Sequence, residues 1–158
     1  MLDDEQLNRA YRYALALTGQ RDDAHDLVQS GVTRLLERDC ARVTDVLAYL
    51  MRTMRNFYFD ALRRQQRIEW SPMENLENVP ALDFRSLEQL VVDADEARRL
   101  MQMLEPAERE LLYLWAVEGY TAEEIAQQCG VARGTILSRI FRMRQRLLAL
   151  QTAPAVAP

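Results

Sequence analysis

From Val46 to Arg67 the apolar residues Leu47, Leu50, Met51, Met54, Tyr58, Ala61 and Leu62 recur at intervals of three and four. That spacing puts side chains on one face of an α-helix. A strand would need them at every second position. A helix with one apolar face cannot bury it alone, so something must pack against it. The chain before it supplies the partner. Leu7 to Leu36 splits into two helical patterns at Thr18-Gly19-Gln20, where glycine can end one helix, and Asp22 and Asp23 suit the positive start of the next. A helical hairpin under a long helix is the expectation. Five Gly and five Pro in 158 residues are too few for the turns of an all-β chain, so the predicted class is all-α.

The pattern then breaks. Between Trp70 and Arg85 the chain is acidic, carries Pro72 and Pro80, and shows no clear period, as expected of a linker. Helical character resumes at Ser86, with Gln89 at capping-box spacing, and Leu87, Leu90, Val91, Ala97, Leu100, Met101 and Leu104 fall on one side. Pro106 suits the first turn of a further helix through Leu111, Leu112, Leu114 and Trp115 to Gly119. Thr121 and Glu124 repeat the capping-box spacing before a short helix that Cys129-Gly130 closes, and a last helix is expected from about Ala132 to Leu150. The predicted organisation is two small helical domains, 1–68 and 86–150, joined by an acidic linker at 69–85, with a disordered tail at 151–158.

Tyr120 to Met143, a short helix, tight turn and longer helix, has the form of a helix-turn-helix with Ile125, Ala126, Val131, Ile136 and Ile140 facing inward. Ile136, Ile140, Met143 and Leu147 make the buried stripe of the second helix. Gly134, Leu137, Ser138, Phe141, Arg142 and Gln145 are then left on the opposite face, which could enter a major groove. Arg142 can donate twice to guanine, Ser138 can serve a base or phosphate, and Phe141 can meet a thymine methyl. Arg133, Arg139, Arg144 and Arg146 flank them as phosphate neutralisers, and Thr135 and Leu137 complete the candidate upstream-reading set. The competing view is a solvated basic helix end. Charge favours DNA: residues 133–158 hold five arginines and no acid, although the whole chain is −4 and residues 71–97 hold seven acids and one arginine.

The long helix carries a second candidate surface. Arg52, Asn56, Phe59, Arg63 and Arg67 follow one another at steps of four, three, four and four, away from the apolar stripe. Arginines with an interleaved aromatic and amide can hold single-stranded DNA by charge, stacking and edge contacts. The same spacing fits an exposed helix face with Phe59 packed under a neighbour. Arg55, Arg64 and Tyr58 fit either reading.

Other classes find less support. No apolar run approaches the roughly 18 residues of a membrane span, and the start Met1-Leu2-Asp3-Asp4-Glu5 is unlike a signal peptide, so a cytoplasmic protein without membrane insertion is expected. Cys40 and Cys129 are far apart with no Cys/His cluster, and His25 is the only histidine. Neither a metal, a cofactor nor catalysis is expected. A stand-alone helix-turn-helix regulator is the alternative reading; it would need a dimer interface to match paired half-sites, and no spare apolar face is evident.

Two motifs in order carry a resemblance across residues 5–149. Gly119-Tyr-Thr-Ala-Glu-Glu-Ile-Ala126, followed by Gly134-Thr135 and Ser138-Arg139, is similar to the upstream-promoter-reading domain of extracytoplasmic-function sigma factors, of the sigma-70 superfamily. Asp22-Asp-Ala-His-Asp-Leu-Val-Gln29, with Ala48-Tyr-Leu50, Arg55-Asn56 and Asp60-Ala-Leu-Arg-Arg64, resembles the family's core-binding and downstream-element helices. The resemblance implies a factor that binds core RNA polymerase and directs promoter-specific initiation. It implies that Asp22, Asp23, Asp26, Leu27 and Gln29 meet the clamp coiled coil of the polymerase's largest subunit. It further implies that Arg52, Arg55, Asn56, Phe59, Arg63 and Arg64 serve the downstream element and its melting, with Asn56 and the loop around Cys40 to Thr44 capturing an unstacked base. Core polymerase and promoter DNA are the expected partners, and an anti-sigma factor is a further one.

Overall fold

The computed structural model describes residues 1–39, 42–66 and 94–152. All regular structure among them is helical, and the chain divides into two compact units, Met1–Pro72 and Met73–Pro158.

In the first unit, α1 spans Asp4–Thr18, α2 Arg21–Leu36 and α3 Val46–Gln66. Asp3 caps α1: its carboxylate accepts the Gln6 N–H at 2.7 Å, and the Gln6 side chain accepts the Asp3 N–H at 3.2 Å, which satisfies two otherwise unpaired donors. Gly19, at φ +72°, ends the helix and donates to the Leu15 carbonyl at 2.9 Å; a residue with a Cβ would be strained there. The three helices pack on one another around Tyr13, Ala14 and Leu17 of α1, Ala24, Leu27 and Leu35 of α2, and Leu47, Leu50, Met51 and Met54 of α3. At the α2–α3 crossing a Cβ on Gly31 would stand 2.8 Å from both Leu50 Cδ1 and Met54 Cγ. Absence of a side chain sets that close approach.

The expected stripe of α3 holds through Met54 and then turns. Ala61 is exposed, while Phe59, expected on the open face, is 3% exposed. Phe59 meets the edge of Tyr58 at a ring separation of 5.5 Å and lies under the Arg55 guanidinium, 4.9 Å from the ring centre. The physical reason is area. An aromatic at the margin of a stripe gains far more by burial than an alanine inside it.

In the second unit α4 spans Ala94–Met103, α5 Pro106–Leu112, α6 Ala122–Cys129 and α7 Arg133–Thr152. The linker and the expected Ser86–Gln89 cap lie outside the described residues. Pro106 opens α5, where its missing N–H costs nothing. The helix continues into a π-helical turn, Tyr113–Val117, which periodicity did not foresee: the Glu118 N–H bonds to the Tyr113 carbonyl at 3.1 Å and the Tyr113 hydroxyl donates to Glu118 Oε1 at 3.0 Å. Gly119 at φ +70° then turns the chain. Thr121 Oγ1 accepts the Glu124 N–H at 3.2 Å, but the Glu124 carboxylate takes the Thr121 hydroxyl rather than a backbone N–H, so only half of the expected capping box forms. Gly130 at φ +68° ends α6. Leu111, Leu114, Ile125, Ala126, Ile136, Ile140, Met143 and Leu147 form the core. The last helix runs through Gln151 and Thr152, two residues beyond the end that the sequence pattern predicts.

Candidate nucleic-acid interfaces

The helix-turn-helix is α6, the turn at Gly130 and α7. Burial of Ile136, Ile140, Met143 and Leu147 fixes which side of α7 faces outward. Arg133 is exposed, and Thr135, Leu137, Arg139, Phe141, Arg142 and Arg144 are half-buried. Ser138 departs from the expectation. It is 5% exposed and its hydroxyl donates to the Gly134 carbonyl at 2.9 Å, the bond to the preceding turn that a serine inside a helix can make. Arg146 also differs. It is exposed, as a phosphate neutraliser would be, but its Nη1 is paired, 2.6 Å from Glu108 Oε1.

On α3 the proposed strand-holding residues separate into two groups. Arg52, Asn56, Arg63 and Arg64 are exposed, with Arg63 Nη1 paired to Asp60 Oδ1 at 3.2 Å. Phe59 is core, and Arg55, stacked over it, is half-buried. The aromatic that lies beside exposed arginines is the half-buried Tyr49, which periodicity did not single out. Arg38, Arg42, Thr44, Tyr49 and Arg52 line a cavity of about 570 Å³ with Asp39 and Asp45, and the Arg38 guanidinium lies 5.9 Å from the Tyr49 ring centre. Asn56 is not among its lining residues. Cys40 and Ala41, in the same loop, lie outside the described residues, as does Arg67. Arginines on both sides of Tyr49 in sequence are the signal that could have found the cavity.

The acidic face of α2 is divided as well. Asp22, Asp23, Asp26 and Gln29 are exposed, but Leu27 is 9% exposed and belongs to the core, because it continues the inward stripe of Ala24 and Gly31 at steps of three and four. Asp26 and Gln29 line a groove of about 610 Å³ with Thr33, Arg34 and Phe57. Phe57 is 38% exposed, outside both the apolar stripe and the arginine face of α3. His25 is exposed and stacks on Tyr11 with ring centres 4.6 Å apart. Cys129 is half-buried, its sulfur 3.9 Å from Glu110 Oε1. Among the described residues no group of three or more His, Cys, Asp or Glu could hold a metal ion, and no helix is long and apolar enough to cross a membrane.

These features define a class: a two-unit helical protein with a helix-turn-helix in the second unit and an arginine-bearing helix in the first. Comparison with known proteins narrows it. Residues 3–68 match Sigma-70 region 2 and residues 94–147 match Sigma-70, region 4. The chain is 32% identical over 148 residues to the ECF RNA polymerase sigma factor SigE of Mycolicibacterium smegmatis, covering 90% of this chain and 57% of that protein. It is 30% identical over 144 residues to the ECF RNA polymerase sigma factor EcfG of Rhodopseudomonas palustris, covering 87% and 76%. The solved structure of sigma factor RpoE with the anti-sigma factor NepR from Bartonella quintana matches with a TM-score of 0.65 at 25% identity, over 95% of this chain and 94% of that one. The chain belongs to the ECF RNA polymerase sigma factors of the sigma-70 superfamily.

Proposed function

We propose that this protein binds core RNA polymerase through residues 1–68, holds the downstream promoter element along α3, and reads the upstream element with the helix-turn-helix of residues 86–150, so directing promoter-specific initiation. One observation carries the reading: a region-two match and a region-four match occur in that order in one chain, with Arg52, Arg63 and Arg64 exposed on the helix of the first, and Arg133 exposed and Arg139, Arg142 and Arg144 half-buried on the helix of the second. Asp22, Asp23, Asp26 and Gln29 form the polymerase-docking face, where exposed acids suit a basic partner. Arg133, Thr135, Leu137, Arg139, Phe141, Arg142 and Arg144 serve the upstream element, and Arg52, Asn56, Arg63 and Arg64 the separated strand. Residues 69–85 act as the linker. The protein works by binding rather than catalysis, in the cytoplasm where polymerase and chromosome meet. An anti-sigma factor is a fitting partner, since RpoE of Bartonella quintana was solved in complex with one. Transcription in vitro with purified core polymerase and fragmented genomic DNA tests the proposal. Starts that depend on the added protein are expected; their absence, with an active core, would refute it.

A further inference from the structure

Arg146 sits on the C-terminal half of α7, and its guanidinium is taken up inside its own unit. Nη1 lies 2.6 Å and 2.8 Å from the two carboxylate oxygens of Glu108, and Nη2 donates to the Met103 carbonyl at 3.4 Å. That carbonyl is in the last turn of α4, where the helix leaves its acceptors unpaired. Glu108 is engaged twice, because its Oε2 also accepts the Glu105 N–H at 2.9 Å at the start of α5. Arg109 completes the corner by donating to the Leu104 carbonyl at 2.8 Å. One ion pair thus closes the α4–α5 corner and ties it to the helix carrying the candidate base contacts. The Glu108 side chain is 22% exposed and that of Arg146 47%, so water screens the pair and its contribution to stability alone is small.

Leverage gives the pair a different use. The start of α7 is about 20 Å from Arg146 at 1.5 Å per residue, and tilting the helix there by about 5° would displace that end by about 1.7 Å, Leu137 by about 1.2 Å and Arg142 by about 0.5 Å. Displacements of that size are enough to spoil a recognition geometry.

We propose that Arg146 is a positioning residue for promoter reading: with Glu108 it anchors α7 to the α4–α5 corner, fixing the angle at which Leu137, Phe141 and Arg142 meet the groove, and it makes no phosphate contact. The inference rests on the assignment of α7 as the upstream-element reader.

The test uses the full chain assembled with core polymerase and a duplex bearing the upstream element of a start mapped as dependent on this protein. Glu108→Gln and Arg146→Gln are each expected to weaken binding roughly threefold, with the double variant no weaker than either single one. The slope of log affinity against log salt should stay that of wild type. A slope reduced by about 0.9 for Arg146→Gln, with Glu108→Gln behaving as wild type, would make Arg146 a phosphate contact and overturn the inference. Lowered thermal stability with unchanged affinity in folded variants would overturn it too, leaving only a structural pair. Wild-type protein that failed to distinguish the mapped element from random duplex would instead count against promoter reading. The pair is then judged without DNA: additive effects of the two substitutions on the unfolding temperature would refute the anchor itself, and non-additive ones would leave it a structural pair with no role in positioning.

Discussion

At the scale of single residues, α7 and α3 show how one change of surroundings alters a side chain's role. Arg142 lies on the outward side of α7, and a guanidinium there can take both acceptors of a guanine. Arg142→Ala is expected to cost about 1–3 kcal/mol at one base pair and to relax preference there. Selection from randomised upstream elements checks this; an unchanged preferred base would remove Arg142 from the reading set. Phe59 belongs to stability instead. With 3% of its surface exposed, Phe59→Ala should lower unfolding stability by about 3–5 kcal/mol, measured by denaturant titration. A loss below 1 kcal/mol would mean that the ring is not core. Arg52, Asn56 and Arg63 were recognisable as exposed from helical phase alone. Phe59 was not, because phase places it at the margin of the stripe and only neighbouring rings decide on which side it settles.

At the scale of elements, the α2–α3 crossing depends on Gly31. Ala in a helix is favoured over Gly by about 1 kcal/mol, but the added methyl would press on Leu50 and Met54, both 0% exposed. Overpacking costs about 1–3 kcal/mol and should win, so Gly31→Ala is expected to lower the unfolding temperature. A rise would show that the two side chains can move aside. Function along α3 is separable from that packing. Arg52→Ala with Asn56→Ala removes two exposed side chains, leaving the core intact. The proposed strand-holding role begins only after the duplex opens, so transcription from duplex promoters is expected to fall much more than from a template with a pre-opened bubble. Equal losses on both templates would return this face to a solvated helix surface. The helices themselves were clear in the sequence, since Gly19, Pro106 and Gly130 mark their ends by backbone chemistry. The π-turn at Tyr113–Val117 was not, because it rests on tertiary fit and on the Tyr113–Glu118 bond.

At the scale of the whole molecule, charge is divided along the chain. The seven acids of residues 71–97 are followed by the acid-free, five-arginine stretch of residues 133–158. Acids on the same chain as a basic helix lower its attraction for phosphate, so the free protein is expected to bind promoter DNA more weakly than the polymerase-bound form. Equal affinities at the same salt concentration would contradict this. The sequence by itself determined the all-helical class, the order of the two units and the buried stripe of α7, because apolar period, glycine and proline act locally and leave few alternatives. Only the tertiary structure decided that Leu27 and Phe59 face inward, that the Ser138 hydroxyl turns to its own helix, that Tyr49 stands among arginines, and that Arg146 meets Glu108. Those outcomes depend on what packs beside each residue. Glu108 and Arg146 are 38 positions apart, and no local period relates them.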